Sequence, residues 1–166
     1  MAAMWMLAAS IALAGKWDTV NPDIRVERDL PGSPEALQGF IMDLNKLKGI
    51  TPVTCVGKWE MAPRSEGEGA SATVRYDLAA LHRTLLMTVT NVEPGRRVDL
   101  DHAGNRGFIT RWSFAPSPTG AGTHITWLTP INPPPWPFKA YYFETVKPEW
   151  ERCASATLDA MAAAAP

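Results

Sequence analysis

Between residues 53 and 129 the chain passes through a succession of short segments of alternating apolar and polar residues, each closed by a turn, with no helical stretch between them. "VTCVGKWEM" ends at "APRSEGEG", "ASATVRYDL" near "AALH", "RTLLMTVTNV" at "EPGR", "RVDLDH" at "AGNRG", "FITRWSF" at "APSPTGAG" and "THITWLT" at "PINPPPWP". Parallel strands need a crossover of a dozen or more residues, usually a helix, and no such stretch separates these segments. The pattern therefore predicts an antiparallel meander of six strands.

The flanks supply one more strand and the helices. "IRVERDL" at 24–30 sets Ile24, Val26 and Leu30 on one face and Arg25, Glu27 and Asp29 on the other, the period of a half-buried strand. In "PGSPEALQGFIMDL" Ser33 caps, Pro34 suits the first helical position and Glu35 complements the helix dipole. Leu37, Phe40, Ile41 and Leu44 then form one apolar stripe. "NKLKGITP" predicts a second, shorter helix ended by Gly49 and Pro52. From Pro148 onward Trp150, Cys153, Thr157 and Met161 mark a stripe that should lie on the sheet, with Glu149, Glu151, Arg152 and Asp159 mostly away from it. Because Pro148 lacks an N–H and crowds the preceding turn, "FKAYYFETVK" is either a separate helical segment or kinked against the rest.

A chain of 166 residues fits one domain, expected over 21–166, and buries about two thirds of the surface its unfolded form exposes. Sixteen Lys and Arg against seventeen Asp and Glu, spread without blocks, leave a net charge of −1 and no electrostatic footprint for nucleic acid. The histidines, His82, His102 and His124, have no ligand spacing, and Cys55 and Cys153 form no CxxC, so neither a metal site nor a cofactor is expected. The two thiols read as buried free cysteines, with a single disulfide as the alternative in an oxidising compartment. No serine lies in GxSxG, and the Gly-rich stretch at 67–71 lacks the Lys-Ser/Thr of a phosphate loop. Residues 1–20 form an apolar N-terminal segment. Its first fifteen residues, "MAAMWMLAASIALAG", carry no charge, fall short of the ~20 residues that cross a bilayer as a helix, and lack a basic flank ahead of them. Membrane association through residues 1–15, export, and a helix packed on the domain all remain open for it. So do the compartment and the oligomeric state.

Period two places Phe108, Thr110, Trp112 and Phe114 on one face, and Ile125, Trp127 and Thr129 on the matching face of the next strand. Val74, Tyr76 and Leu78, then Leu85, Met87 and Val89, then Val98, Leu100 and His102 extend this inward surface. Among its polar members, His102 is the weak candidate for a general base, against a simply hydrogen-bonded imidazole. Tyr76 could hold a ligand carbonyl or find a protein partner. Asn91 and Glu144 are read either as polar anchors of a pocket mouth or as a turn amide and a solvated helix charge.

The order strand, two short helices, six strands and a long helix resembles that of the helix-grip fold. Residues 24–164 are similar to the START-like (SRPBCC, Bet v 1-like) superfamily, in particular its polyketide cyclase/dehydrase-like branch. The resemblance rests on "IRVERDLPGSPEALQGFIMDL", "VTNVEPGRRVDL" and "TRWSFAPSPTGAGTHITWLT"; these are structural motifs, none of them a catalytic signature. It implies an α+β fold in which a bent antiparallel sheet wraps around the C-terminal helix and leaves a cavity for a lipid, polyketide or aromatic compound. The expected ligand-binding residues are Tyr76, Met87, Val89, Leu100, His102, Phe108, Thr110, Trp112, Trp127, Tyr142, Val146 and Trp150. Many relatives carry a membrane-spanning segment before a strand like "RVER", and many have a tryptophan-rich stretch where this chain has "DLNKLKGITPV". Binding or transport of an apolar small molecule is the function implied, with a cyclase- or dehydratase-type enzyme using the same pocket as the alternative. The chain has no evident acid/base pair, which favours binding.

Overall fold

A computed structural model describes residues 24–78, 81–104, 107–130 and 137–164. The apolar segment 1–15 and the expected boundary at residue 20 lie outside them. In chain order the elements are strand β1 (Ile24–Leu30), helices α1 (Pro34–Met42) and α2 (Leu44–Ile50), and strands β2 (Val56–Met61) and β3 (Ser71–Leu78). They continue with β4 (Leu81–Glu93), β5 (Arg97–Ala103), β6 (Phe108–Pro116), β7 (Thr123–Thr129) and a C-terminal helical stretch. The strands form one seven-stranded sheet in the order β1-β7-β6-β5-β4-β3-β2, every neighbour antiparallel. β1 and β2 follow one another in sequence yet occupy opposite edges, so α1 and α2 carry the chain from one edge to the other. This is the helix-grip α+β architecture that the sequence resemblance implied.

The helix starts follow their capping chemistry. The Ser33 hydroxyl accepts from the Ala36 N–H at 3.2 Å, and the Asp43 carboxylate accepts from the N–H groups of Asn45 and Lys46 at 3.0 and 3.2 Å. α1 turns Leu37 and Ile41 inward together with a residue the apolar stripe does not include, Gln38. Its amide donates to the carbonyls of Glu93 and Arg97 at 2.8 and 2.7 Å and accepts from the Gly95 N–H at 2.8 Å. One side chain thus fastens α1 to the β4–β5 turn. That turn needs Gly95, whose φ of 65° suits glycine and whose absent Cβ would lie 2.4 Å from a Glu35 carboxylate oxygen.

β2 is shorter than the alternation of "VTCVGKWEM" predicts. The Pro52 carbonyl accepts from the N–H groups of Cys55 and Val56, so residues 53–55 form a turn and pairing with β3 begins at Val56.

The C-terminal stretch is one helical run with a defect where Pro148 predicts it. A short α-helix, α3 (Phe138–Tyr141), leads into a π-turn (Tyr142–Val146) and then into α4 (Lys147–Ala164). The Lys147 N–H bonds back to the Tyr142 carbonyl, five residues earlier. This widened turn lies directly before the proline, the residue that can neither donate a helical hydrogen bond nor fit closely over the turn behind it. α4 buries Cys153, Ala154, Thr157, Leu158 and Met161 against the sheet.

The cysteines correct the sequence expectation of two free thiols. Cys55, in the turn before β2, and Cys153, on α4, form a disulfide with their Cα atoms 6.0 Å apart. Proximity across 98 residues of chain is a product of the tertiary fold and leaves no local signature in the sequence. Among the described residues no helix is long and apolar enough to cross a membrane.

Candidate functional site

The inward alternation of β3 to β7 holds in three dimensions. Val74, Tyr76 and Leu78, Leu85, Met87 and Val89, Val98, Leu100 and His102, and Thr110, Trp112 and Phe114 are all buried on the concave face, as are Ile125 and Thr129. Phe108 and Trp127 are half-buried beside them.

Between this face and α4 lies a cavity of about 40 Å³. Of the residues expected to bind a ligand, Tyr76, Met87, Leu100, His102, Thr110, Trp112, Trp127 and Trp150 line it. Val89, Phe108, Tyr142 and Val146 do not. Val89 is buried in the core, Phe108 packs behind the lining, and Tyr142 and Val146 are the buried residues of the π-turn. The remaining wall was not anticipated: Leu47 and Thr51 from the end of α2, Cys55, Val56 and Trp59 around β2, Leu78, and Cys153 and Thr157 from α4. The helical period of α4 places Cys153 and Thr157 one turn apart on its buried stripe, a signal that could have added them. Nothing local marks the contribution of α2 and β2, which depends on β2 lying at the far edge of the sheet.

Two aromatic groups shape the cavity. Tyr76, His102, Phe108 and Trp150 form the first. The His102 ring stacks on Phe108 with centroids 4.3 Å apart, and Trp150 lies 5.2 Å from both Tyr76 and Phe108. The second is the cross-strand pair Trp112 and Trp127, directly opposite in the β6–β7 register, with ring centroids 4.2 Å apart.

The polar atoms of this wall are few. The Tyr76 hydroxyl meets His102 Nδ1 at 2.9 Å. Thr110 and Thr129 share a hydroxyl–hydroxyl bond at 3.2 Å, and the Trp127 indole N–H donates to the Thr129 hydroxyl at 2.8 Å. The Thr51 and Thr157 hydroxyls donate to the carbonyls of Leu47 and Cys153. Two buried nitrogens, His102 Nε2 and Trp112 Nε1, have no hydrogen-bond partner among the described residues. Burial pushes the His102 imidazolium pKa down to about 3 and drives the Tyr76 phenol well above its usual range, so both rings are neutral across ordinary pH. Among the described residues no Asp, Glu, Lys or Arg lines the cavity.

The other polar candidates lie elsewhere. Asn91, in a bulge with φ 47°, donates to the Asp99 carboxylate at 3.3 Å, and Glu144 is exposed on the π-turn. Asp99 is itself buried, held at 3.0 and 3.2 Å by the Arg111 guanidinium on the face that the alternation turns away from the cavity. The charged pair Asp99 and Arg111 therefore sits on the outer side of the sheet, whereas Arg83, paired with Tyr76 between β3 and β4, shares the inward face.

A bent antiparallel sheet gripping a long C-terminal helix, with an aromatic-walled cavity between them, defines the class by its fold: the chain has the helix-grip α+β fold, which it shares with solved structures. The solution structure of the KanY protein superimposes with a TM-score of 0.71 over 85% of this chain and 94% of that one, at 17% identity. The crystal structure of TTHA0849 from Thermus thermophilus gives 0.64 over 84% and 94%, also at 17% identity. The di-domain ARO/CYC StfQ from the steffimycin biosynthetic pathway gives 0.61 at 12% identity, over 86% of this chain and 50% of its own. At such identities the likeness is one of fold. No protein-family model matches the chain, and no curated protein matches it by sequence.

Proposed function

We propose that this domain binds a neutral, apolar small molecule between its sheet and α4. The observation that carries this reading is the cavity wall: aromatic and aliphatic side chains from β2 to β7, α2 and α4 enclose a space with no charged residue in its described lining. Such a wall suits an uncharged ring or chain and disfavours a fatty acid, whose carboxylate would be desolvated with no cation in the described lining to meet it. At about 40 Å³ the cavity has room for roughly three waters. A larger ligand enters by displacing side chains, and the half-buried rings of Trp59, Trp127 and Trp150 are the ones with freedom to move.

The polyketide cyclase reading of the same pocket requires a group that exchanges protons near neutrality. His102 and Tyr76 are bonded to each other and are both held neutral by burial, so neither is poised for general acid/base work. This favours binding or carriage over catalysis.

Trp112 supplies the test. It is fully buried yet borders the cavity, so Trp112→Phe should cost less than about 1 kcal/mol, whereas a close-packed large-to-small change costs about 1–3 kcal/mol. Its affinity for the neutral probe N-phenyl-1-naphthylamine should change several-fold. Fluorescence titration alongside denaturant melts reads both quantities. A wild-type protein that binds no probe, with a markedly destabilised variant, would remove the pocket reading.

A further inference from the structure

We infer that the cavity is built to receive a carbonyl oxygen, a neutral acceptor of the ketone or quinone kind, on the Nε2–H of His102, with the Trp112 Nε1–H as a second donor. This deepens the ligand-binding reading above and rests on it. The argument starts from Tyr76. Its hydroxyl is buried and keeps its proton, so it must donate, and among the described residues its partner is His102 Nδ1 at 2.9 Å. A neutral imidazole that accepts at Nδ1 carries its own proton on Nε2. The Tyr76 contact thereby fixes the tautomer and makes His102 a donor at Nε2 rather than the base that its residue type suggests.

His102 is 2% exposed and its Nε2 has no partner among the described residues; Trp112 is fully buried and its indole nitrogen, which can only donate, has none among them either. Orphaned buried N–H groups are rare in native proteins, and both of these belong to residues that line the same cavity. The contrast with Trp127 is instructive. That indole stands directly opposite Trp112 and is satisfied by Thr129. The described wall therefore has two unmet N–H donors, while the hydroxyl protons of Thr51 and Thr157 go to backbone carbonyls and the Thr110 hydroxyl is paired with that of Thr129. A hydrocarbon would leave both N–H donors unmet, and an alcohol would bring a hydroxyl proton of its own, to be placed on the lone pairs of the threonine and tyrosine hydroxyls. A carbonyl supplies what is missing and adds no donor.

The test compares 1-indanone with indane and 1-indanol, which share a ring system and differ at one oxygen, by calorimetric or fluorescence titration of the full chain. The ketone should bind at least tenfold more tightly than the hydrocarbon and more tightly than the alcohol. Long-range ¹H–¹⁵N spectra should show His102 as the Nε2–H tautomer in the free protein. The Nε2 proton, the Trp112 indole proton or both should move downfield with indanone and stay in place with indane. In His102→Phe the ketone preference should shrink to below threefold. If that variant fails to fold because the Tyr76 hydroxyl loses its partner, Tyr76→Phe/His102→Phe removes donor and dependent together.

Equal affinity for ketone and hydrocarbon, an alcohol that matches the ketone, or an Nδ1–H tautomer in the free protein would each overturn the inference while leaving ligand binding intact. If none of the three compounds nor N-phenyl-1-naphthylamine binds, the ligand-binding reading falls and the carbonyl assignment falls with it.

Discussion

At the scale of single residues, His102 shows how little of a side chain's chemistry is set by its type. The period of β5 places it inward beside Leu100, and this is legible in the sequence. Its tautomer is not, because that depends on Tyr76, a strand beyond β4, reaching across a bent sheet. Which tryptophan keeps a free N–H is not legible either: Trp127 has Thr129 and Trp112 has Thr110 two residues away on the same face, yet among the described residues only the Trp127 N–H meets a hydroxyl. The buried imidazole also leaves a mark on stability. Its pKa falls from 6.5 in the unfolded chain to about 3 in the fold, so between those values the unfolded state binds a proton that the folded state refuses. Stability from this group is complete above about pH 6.5 and declines as the pH falls towards 3, with a slope approaching 1.36 kcal/mol per pH unit. Urea melts at pH 4–7 should show His102→Phe less stable than wild type near neutrality, yet less sensitive to acid by that one proton. Parallel pH profiles would show that the ring is protonated in the fold after all.

At the scale of elements, alternation and capping residues locate the strands and short helices closely, since both signals act within a few residues. The misses come from contacts between elements. β2 starts at Val56 rather than Val53 because Pro52 draws residues 53–55 into a turn. The π-turn is a compromise between Pro148 and the continuous helix that its buried stripe requires. Gln38 has the spacing of a solvated helix residue but carries the junction between α1 and the β4–β5 turn. Gln38→Ala would leave the Gly95 N–H and two carbonyls without this partner in a buried setting, and should lower unfolding stability by about 2–3 kcal/mol. A denaturant midpoint within about 0.5 kcal/mol of wild type, the range of an ordinary surface substitution, would contradict the clamp.

At the scale of the whole molecule, the residues show a meander with one face to bury, and the sheet gripping a helix is anticipated through the family that the order of elements resembles. The extent of the cavity wall was harder to foresee. Its far side comes from α2 and β2, which reach the site only because consecutive strands sit at opposite edges of the sheet. The disulfide fastens that far side to α4, and it gives the molecule a second kind of connectivity. The backbone from Cys55 to Cys153, closed by sulfur, is a covalent ring that contains β2 to β7; β1, α1 and α2 form a tail outside it. A ring opened once remains a single molecule. The turn between β6 and β7, where Pro118, Thr119 and Gly120 are exposed, is a natural place for a protease to cut. Protein nicked once there should run as one band in a denaturing gel without reductant and as two bands with it. Two bands in both lanes would mean that the ring does not exist and that the thiols are free.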